Sequence, residues 1–398
     1  MKLAKRIQQC RLSPIRKFYP YATAAQERGI KIYQLNIGQP DIQTPPAYFE
    51  AIANFHQEVL AYAPAPGIPV LVDAVRDYYK RLDVDYARSD LLITTGGSEA
   101  LLMTMLCILD EGCEVLVPEP FYPNYNTFVR SAGGTIRPIP TSAENGYRFA
   151  DRARIEPLIN EKTRAIMFSN PGNPTGTVLT TEEVRLLADI AKEHDLFLIC
   201  DEVYREFIYD GSKPATAASF RDIDDNLIVI DSVSKRFSAC GARIGALISR
   251  NKAFMESVTK MSQARLSVAT LDQIGAAALY HVDSSYFDAT RDEYRRRRDL
   301  CYRKLLEIPG IVTSEPQGAF YTMAKLPVDS TEKFQMYLLT EFEDNGETVM
   351  FAPGSGFYAT EGAGEQEIRI AYVLCCEDLA RALDLLRIAI ERYNAKNK

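Results

Sequence analysis

The sequence has few histidines and no closely spaced cysteine pair, which argues against a metal site and against a disulfide framework. Its three histidines, at positions 56, 194 and 281, are too far apart to predict a His-based metal site. The eight cysteines include no Cys-x-x-Cys pair, and the adjacent Cys375 and Cys376 have poor geometry for a mutual disulfide. We therefore expect no metal and a reducing, cytoplasmic compartment.

Long apolar runs and concentrated charge are also missing. No stretch approaches the ~20 apolar residues of a membrane helix, and no apolar segment of a secretory signal follows Met1–Arg6. The net charge is −7, and the one basic run, at residues 295–298, lies among acidic residues and indicates a solvated helix face. We expect no nucleic-acid partner and no membrane partner.

The composition, with 46% hydrophobic and 25% charged residues, is typical of a soluble protein, and 398 residues predict a large domain plus a smaller one. Short apolar runs alternate with helical stretches in the first part of the chain. The runs are residues 90–94, 114–117, 165–168, 196–200, 227–230 and 245–248. Most are continuously apolar, as in strands covered on both faces, which predicts an α/β domain with a mainly parallel sheet.

The pattern changes after residue 284. A long charged helix is followed by short strands and further helices, which predicts a smaller α+β domain. The predicted helices are residues 285–307, 330–342 and 377–394, and the predicted strands lie near 311, at 319–323 and at 367–372. We expect an N-terminal arm at 1–44, which joins the small domain, a large domain at 45–284 and the small domain at 285–398.

Ligands of open α/β sheets lie beyond the carboxyl ends of the strands, so the residues that follow each run are informative. Gly96 to Glu99 follow the first run and open a helix, whose free N–H groups suit a phosphate. An ordinary glycine turn with a serine N-cap explains the same residues. Asp201 closes a buried run and needs a partner, either a protonated pyridine nitrogen or a salt bridge or helix cap.

Two further segments follow apolar runs. A Pro/Gly-rich turn holds Asn173, whose amide can bind a phenolate oxygen, although such a turn is common whatever its use. Lys235 lies among small residues that leave room for a bulky adduct, whereas a lone lysine there is ordinarily a solvated surface residue. Ser232, Ser234, Ser238 and Arg243 beside it predict a site for a dianionic phosphate.

These residues together resemble a known family. The segment Ser232–Gly245 matches every position of the pyridoxal-5′-phosphate (PLP) lysine signature of class I/II aminotransferases. Six further motifs of the family follow one another in order. They are Ile37–Asp41, Tyr62–Gly67, Gly96–Glu99, Asn170–Gly176, Asp201–Tyr204 and Glu367–Tyr372. The chain resembles the aspartate-aminotransferase-like enzymes of fold type I, which implies a three-layer PLP-binding large domain with a mainly parallel seven-stranded sheet and a smaller α+β domain.

The resemblance assigns roles around the cofactor ring. It implies that Lys235 holds PLP as a Schiff base and moves the proton of the substrate, with Asp201 keeping the pyridine nitrogen protonated. Asn173 and Tyr204 would bind the ring 3′-oxygen. Tyr122 would stack on the ring.

The remaining roles concern the phosphate and the substrate. The phosphate cradle implied by the resemblance consists of the backbone of Gly97 and Ser98 with Ser232, Ser234 and Arg243, and Glu99 is a further predicted cofactor-binding residue. Arg369 would clamp the substrate α-carboxylate, helped by the Gly38 backbone and Asn173. Tyr62 would reach the phosphate of the neighbouring subunit and make the enzyme a homodimer with shared sites. An aromatic residue that packs before a Pro-rich turn is the other interpretation of Tyr62.

The implied activity is ping-pong transamination between an L-amino acid and a 2-oxo acid, a reaction of amino acid metabolism and biosynthesis. Aspartate or glutamate with 2-oxoglutarate is the leading pair by analogy. The cation for a distal carboxylate stays open among Arg265, Arg16 and Lys17, all three of which are otherwise surface cations. Ile15 is expected at the mouth of the site, where it would help to exclude water.

Three other functions compete with transamination. The same scaffold supports other PLP chemistry, such as a C–S β-lyase. A PLP-binding regulator without catalytic activity would carry an additional DNA-binding module, for which the chain leaves no room. A nicotinamide enzyme would need a Gly-x-Gly-x-x-Gly turn after a strand, and residues 96–101 do not supply one.

Overall fold

A computed structural model describes residues 1–10, 13–14, 16–211 and 215–397. Thirteen strands occur in these ranges. They are β1 (Lys31–Gln34), β2 (Leu91–Thr94), β3 (Glu114–Pro118), β4 (Thr135–Ile139), β5 (Thr163–Ser169), β6 (Phe197–Asp201), β7 (Leu227–Ser232), β8 (Gly245–Ile248), β9 (Val312–Thr313), β10 (Tyr321–Lys325), β11 (Glu347–Met350), β12 (Ala352–Pro353) and β13 (Glu367–Ala371).

A seven-stranded sheet with the order β2-β8-β7-β6-β5-β3-β4 forms the centre of the molecule. Strand β8 runs antiparallel to both of its neighbours, and the other pairs are parallel. The prediction of a mainly parallel seven-stranded sheet is confirmed. The six apolar runs of the sequence correspond to six of its strands. Edge strand β4 did not stand out in the sequence because Arg137 and Pro138 interrupt its apolar pattern.

Fourteen α-helices occur among the described residues. They are α1 (Lys5–Gln8), α2 (Tyr19–Glu27), α3 (Ala47–Ala53), α4 (Pro69–Lys80), α5 (Gly96–Ile108), α6 (Asn124–Ser131), α7 (Arg152–Ile155), α8 (Thr181–Glu193), α9 (Val233–Arg236), α10 (Lys252–Arg265), α11 (Thr270–Leu279), α12 (Ser284–Leu306), α13 (Thr331–Thr340) and α14 (Cys376–Lys396). Helix α8 illustrates the local cause: Thr180 and Glu183 form a capping box at its start. None of the described helices is both long and apolar enough to pass through a membrane.

Two apolar cores cover the two faces of the large sheet. Successive residues of a strand point to opposite faces, and in β6 the side chains of Leu198 and Cys200 join one core while Ile199 joins the other. Each core is closed by helices, α4, α8 and α11 among those on one side and α5 and α10 on the other. The result is a three-layer helix–sheet–helix arrangement, as predicted.

A second group of elements surrounds two smaller sheets. One sheet has the order β12-β13-β10-β9, and the other is the parallel pair of β1 and β11. Helices α12, α13 and α14 pack on these strands around a third core. We propose the division into 1–44, 45–284 and 285–398, because β1 pairs with β11 and α12 begins at Ser284.

Candidate active site

A cavity of about 450 Å³ lies where the carboxyl ends of β2, β5, β6 and β7 meet the small-sheet strands β10 and β13. Its size is in the range of small-molecule sites. The site residues from the sequence that line it are Gly38, Gly97, Ser98, Tyr122, Asn173, Asp201, Tyr204, Ser232, Ser234, Lys235, Arg243 and Arg369. Glu99 and Tyr62 are not among the lining residues.

Lys235 lies on the one-turn helix α9, directly after the carboxyl end of β7. Its Nζ donates to the carbonyl oxygen of Gly38 at 2.7 Å and lies 3.7 Å from the Cys240 sulfur. The next residue, Arg236, is buried and pairs with the buried Asp231 at 2.8 Å. This ion pair anchors α9, so the Lys235 amine faces the cavity rather than open solvent.

Asp201 is the last residue of β6, and its carboxylate is 6% exposed. Burial raises the pKa of Asp201 to about 6, although the hydroxyl of Tyr125 donates to Oδ2 at 2.6 Å and lowers it in part. Among the described residues no cation pairs with this carboxylate. An ionised Asp201 in this cavity therefore favours a cationic partner supplied by a ligand.

Asn173 and Tyr204 lie together beside the cavity. The Asn173 amide donates to the Tyr204 hydroxyl at 3.5 Å, and that hydroxyl lies 2.9 Å from the hydroxyl of Tyr321. Burial raises the pKa of Tyr204 well above its ordinary value, so Tyr204 is protonated and can donate. The ring of Tyr122 stands edge-on to Tyr125 and forms a cavity wall.

Polar groups converge at the start of helix α5. Gly97 and Ser98 belong to its first turn, where backbone N–H groups have no partner within the helix. Gly96 has φ 73°, and a side chain there would approach Arg243 Nη2 to 2.5 Å, so only glycine lets the guanidinium come this close. Ser234 Oγ accepts from Ser232 Oγ at 2.9 Å and lies 3.5 Å from Arg243 Nη1. The set suits an anion.

The Glu99 side chain forms hydrogen bonds within the protein and lies beside the anion-binding groups at the start of α5, not among them. Its Oε2 accepts from the Thr95 backbone N–H at 2.6 Å and from Arg265 Nη1 at 3.2 Å. Arg265 also donates to the carbonyl oxygens of Ala65 and Ile93. Both side chains of the pair are largely buried. The structure thus gives Glu99 and Arg265 a shared packing role, away from the cavity lining.

Arg369 lies on β13 and is 2% exposed. Its Nη2 donates to the Asn36 carbonyl oxygen at 2.6 Å and its Nη1 to Asn173 Oδ1 at 3.3 Å, while Nε has no protein partner. Burial lowers the pKa of Arg369. The guanidinium lies over the rings of Tyr321 and Phe357. A buried guanidinium with an unused N–H donor at the cavity wall is well placed to bind a carboxylate.

The remaining predicted residues lie near the mouth or on the surface. Arg16 lines the cavity, is exposed, and has no side-chain partner among the described residues. Lys17 beside it is paired with Glu332 of α13. Tyr62 is 82% exposed within this single chain. Ile15 lies outside the residues that the structure describes.

Three residues of the site did not stand out in the sequence. Tyr125, the partner of Asp201, reads as an ordinary apolar position of α6, and Tyr321 reads as a core residue of a strand. Asn36 lines the cavity with both amide atoms buried and without a protein partner. Of these three residues, only Asn36 could have been found from the sequence, because it lies two residues before Gly38, which was predicted to bind substrate.

Comparison with known proteins agrees with this geometry. Residues 30–386 match the profile of the family described as aminotransferase class I and II. An aspartate aminotransferase of Bacillus subtilis is 31% identical over 402 residues, with 98% of each chain covered. Aromatic-amino-acid aminotransferase 2 of Thermococcus litoralis is 33% identical over 397 residues, covering 96% of this chain and 97% of that one.

Solved structures are similar over the same extent. A single mutant of Thermus thermophilus aspartate aminotransferase superimposes with a TM-score of 0.89 at 28% identity, covering 98% of this chain and 100% of that one. The alanine aminotransferase of Pyrococcus furiosus superimposes with a TM-score of 0.90 at 30% identity, with the same coverage. The profile match spans most of the chain and the relatives span nearly all of it, so this chain belongs to the aminotransferase class I and II family and is an enzyme that transfers amino groups.

Proposed function

We propose that this enzyme uses PLP, held on Lys235, to move an amino group between an L-amino acid and a 2-oxo acid in a ping-pong cycle of amino acid metabolism. The observation that carries the proposal is that the Lys235 amine and the Arg369 guanidinium line one cavity of about 450 Å³. An amine for the cofactor and a cation for the substrate carboxylate are the two groups that this reaction needs. The eight free thiols suit the reducing cytoplasm that we propose as its location.

The chemistry of the cavity fits PLP at each end. The phosphate finds the first turn of α5, two serine hydroxyls and Arg243, whose approach depends on the absence of a side chain at Gly96. The pyridine nitrogen finds the buried carboxylate of Asp201. The ring 3′-oxygen finds Tyr204 and Asn173 as donors. An anion, a cation and a phenolate each have a complementary partner.

PLP, when bound, supplies a protonated ring that draws electrons from the substrate Cα. Lys235 Nζ would be the base that takes the proton from the substrate Cα and delivers it to C4′ of the cofactor, and the Gly38 carbonyl oxygen at 2.7 Å gives the amine a resting position. Asp201 holds a proton on the ring nitrogen because its carboxylate is buried without a protein cation. Tyr122 forms one wall of the cavity and would exclude water from one face of the cofactor ring.

The substrate α-carboxylate is expected on Arg369. Asn173 and the Asn36 carbonyl fix the plane of the guanidinium, and the unpaired Nε and the unpaired Asn36 amide remain available to a ligand. Buried polar groups without a partner are costly. A bound carboxylate would satisfy them, which supports this placement.

The distal substrate group is proposed to be acidic. Among its relatives, the enzyme of Bacillus subtilis is named an aspartate aminotransferase. Of the three candidate cations, Arg265 is paired with Glu99 and Lys17 with Glu332, whereas Arg16 lines the cavity and has no side-chain partner among the described residues. We therefore propose Arg16 as the cation that meets a distal carboxylate, with aspartate or glutamate as donor and 2-oxoglutarate as acceptor.

A screen of amino donors against 2-oxo acids tests the function and the substrate class together. We expect transamination, with aspartate and glutamate among the best donors. Arg16→Ala should lower kcat/KM for these two donors by about tenfold, the size of one charge-assisted hydrogen bond, and leave alanine nearly unchanged. The measurement is steady-state kinetics with each donor.

Lys17→Ala is the matched control, because its side chain is already bound to Glu332. Equal losses in the two variants would reject the role of Arg16 without touching transamination. Release of ammonia and pyruvate from a sulfur-containing amino acid, with no amino transfer to any oxo acid, would reject the proposed function itself.

A homodimer with shared sites is the proposed assembly. Exposed apolar side chains gather on the surface formed by residues 49–70 and the end of α10. They are Phe49, Val59, Leu60, Tyr62, Val70 and Leu266. Hydrogen bonds from Ser262, Arg265 and Thr270 hold the backbone of this segment in place. Such a patch on a single chain supports an interface with a second copy.

Mixing two inactive variants tests whether Tyr62 serves the partner's site. We expect Lys235→Ala and Tyr62→Ala proteins, after subunit exchange, to regain activity at about a quarter of the sites, because each mixed dimer then has one site with both residues intact. Activity is measured together with the fraction of mixed dimers, followed by mass. Complete exchange with no gain over the Tyr62→Ala protein alone would place Tyr62 outside the shared site.

A further inference from the structure

Tyr321 lies at the centre of the site although no family motif of the sequence contains it. It is the first residue of β10, is 2% exposed, and lines the cavity. Its hydroxyl lies 2.9 Å from that of Tyr204 and 3.5 Å from the Gly38 carbonyl oxygen. The same carbonyl accepts from Lys235 Nζ. One phenol therefore joins the tyrosine, the loop carbonyl and the lysine of the site.

The space around Gly38 shows how tightly Tyr321 is built in. A Cβ added at Gly38 would lie 1.7 Å from the Tyr321 oxygen and 2.4 Å from its Cζ. The phenol thus occupies the place that any side chain at position 38 would need. Its ring also lies against the Arg369 guanidinium, 4.5 Å from the centroid. The ring of Tyr321 is therefore packed between Gly38 and Arg369, with its oxygen next to that of Tyr204.

The Tyr321 hydroxyl has one proton, and the Tyr204 oxygen at 2.9 Å is a nearer acceptor for it than the Gly38 carbonyl oxygen at 3.5 Å. Tyr204 has one hydroxyl proton, and it already receives a hydrogen bond from the Asn173 amide. If Tyr321 also donates to Tyr204, the oxygen lone pairs of Tyr204 are satisfied by protein groups. The single proton of Tyr204 is then left for an acceptor in the cavity. Without Tyr321, that proton and that lone pair would no longer be directed.

We propose that Tyr321 is a positioning residue of the amino-transfer reaction, whose hydroxyl donates to Tyr204 and so directs the Tyr204 proton at the 3′-oxygen of the bound cofactor. The proposal rests on the proposed use of PLP. Because hydrogen bonds in series strengthen one another, Tyr321 also makes Tyr204 a stronger donor. A stronger donor stabilises negative charge on the 3′-oxygen and lowers the affinity of the Lys235 nitrogen for its proton.

The test compares Tyr321→Phe with wild-type holoenzyme. The pH midpoint of the absorbance change of the lysine-bound chromophore should rise by about half to one unit, equivalent to one hydrogen bond. The affinity for PLP, measured by titration of the cofactor-free protein, should fall severalfold. We expect kcat to fall more than KM rises, because the Arg369 contact with the ring survives. Phenylalanine keeps that ring, and thermal unfolding checks the fold.

Two further variants separate positioning from packing. Tyr209→Phe is the matched control, since Tyr209 is a buried tyrosine that donates to the Ala319 carbonyl outside the cavity lining, and it should leave the midpoint unchanged. The Tyr204→Phe and Tyr204→Phe/Tyr321→Phe proteins should have the same midpoint, because Tyr321 acts through Tyr204. A Tyr321→Phe midpoint equal to wild type, or fully additive shifts in the double variant, would overturn the proposal. A wild-type protein that binds no PLP would instead reject the proposed function.

Discussion

Lys235→Ala is expected to abolish multiple-turnover transamination, with a loss of about 10⁴-fold or more. The Lys235 amine is the one that the Gly38 carbonyl and the buried Arg236–Asp231 pair hold at the cavity wall. Removing it takes away both the attachment of the cofactor and the base. Borohydride reduction followed by mass analysis should place a covalent label on Lys235 in the wild type and none in the variant.

The Lys235→Arg variant tests whether a positive charge at this position is enough for activity. An arginine keeps the positive charge but is always protonated, so it can neither attach the cofactor nor remove a proton. We expect it to be as inactive as the alanine variant. Lys260→Ala serves as a control because Lys260 is an exposed lysine paired with Glu256 on α10 and does not line the cavity. Turnover at the wild-type rate in either Lys235 variant would refute the central assignment.

Asp201→Asn is expected to act in opposite directions on activity and on the stability of the cofactor-free protein. An asparagine cannot hold a proton on a pyridine nitrogen, so kcat/KM should fall by about 10²-fold or more, the usual loss on removing a buried electrostatic partner. The carboxylate itself is destabilising in the cofactor-free fold, because burial raises the pKa of Asp201 from 3.8 to about 6.

The pH dependence follows from the direction of that shift. In the unfolded chain Asp201 loses its proton first, so between about pH 4 and pH 6 its contribution to the free energy of unfolding falls as pH rises. Above that window the full cost remains, about 3 kcal/mol. The cofactor-free Asp201→Asn protein should therefore be more stable than wild type at pH 8 and similar to it at pH 4, as measured by urea unfolding.

Asp222→Asn is expected to change the stability at pH 8 in the opposite direction. Arg185 and Lys192 lower the pKa of this exposed carboxyl, so its loss should slightly destabilise the protein at pH 8. An Asp201→Asn protein without PLP that is less stable than wild type at pH 8 would mean that the carboxylate is compensated in the fold. A variant with unchanged kcat/KM would contradict the pairing of Asp201 with a cationic ring.

The fold was largely predictable because its main signal is local. Continuous apolar runs predicted six strands of the large sheet, and a capping box formed by Thr180 and Glu183 begins helix α8. The search for apolar runs missed β4, because this edge strand is only partly buried and its sequence is not continuously apolar. The search also missed β11, whose partner β1 is more than 300 residues away.

The site, like the fold, was predictable in part. The strand ends together with the family resemblance predicted Lys235, Asp201, Asn173 and Arg243, and the structure brings all four to one cavity. The sequence could not determine how the side chains pair, because pairing depends on distances that only packing sets.

Tertiary structure decided the partners. Tyr125 donates to Asp201 across 76 positions, and Tyr321 meets Tyr204 across 117, contacts that no local pattern encodes. Packing also joined Arg265 to Glu99 and left Arg16 at the cavity without a side-chain partner in the described part of the chain, which reordered the candidates for a distal carboxylate. The sequence by itself determined the class of chemistry, since backbone order places the strand ends. The tertiary structure determined which groups tune that chemistry, because these contacts form only after the helices and the small sheets pack against the large sheet.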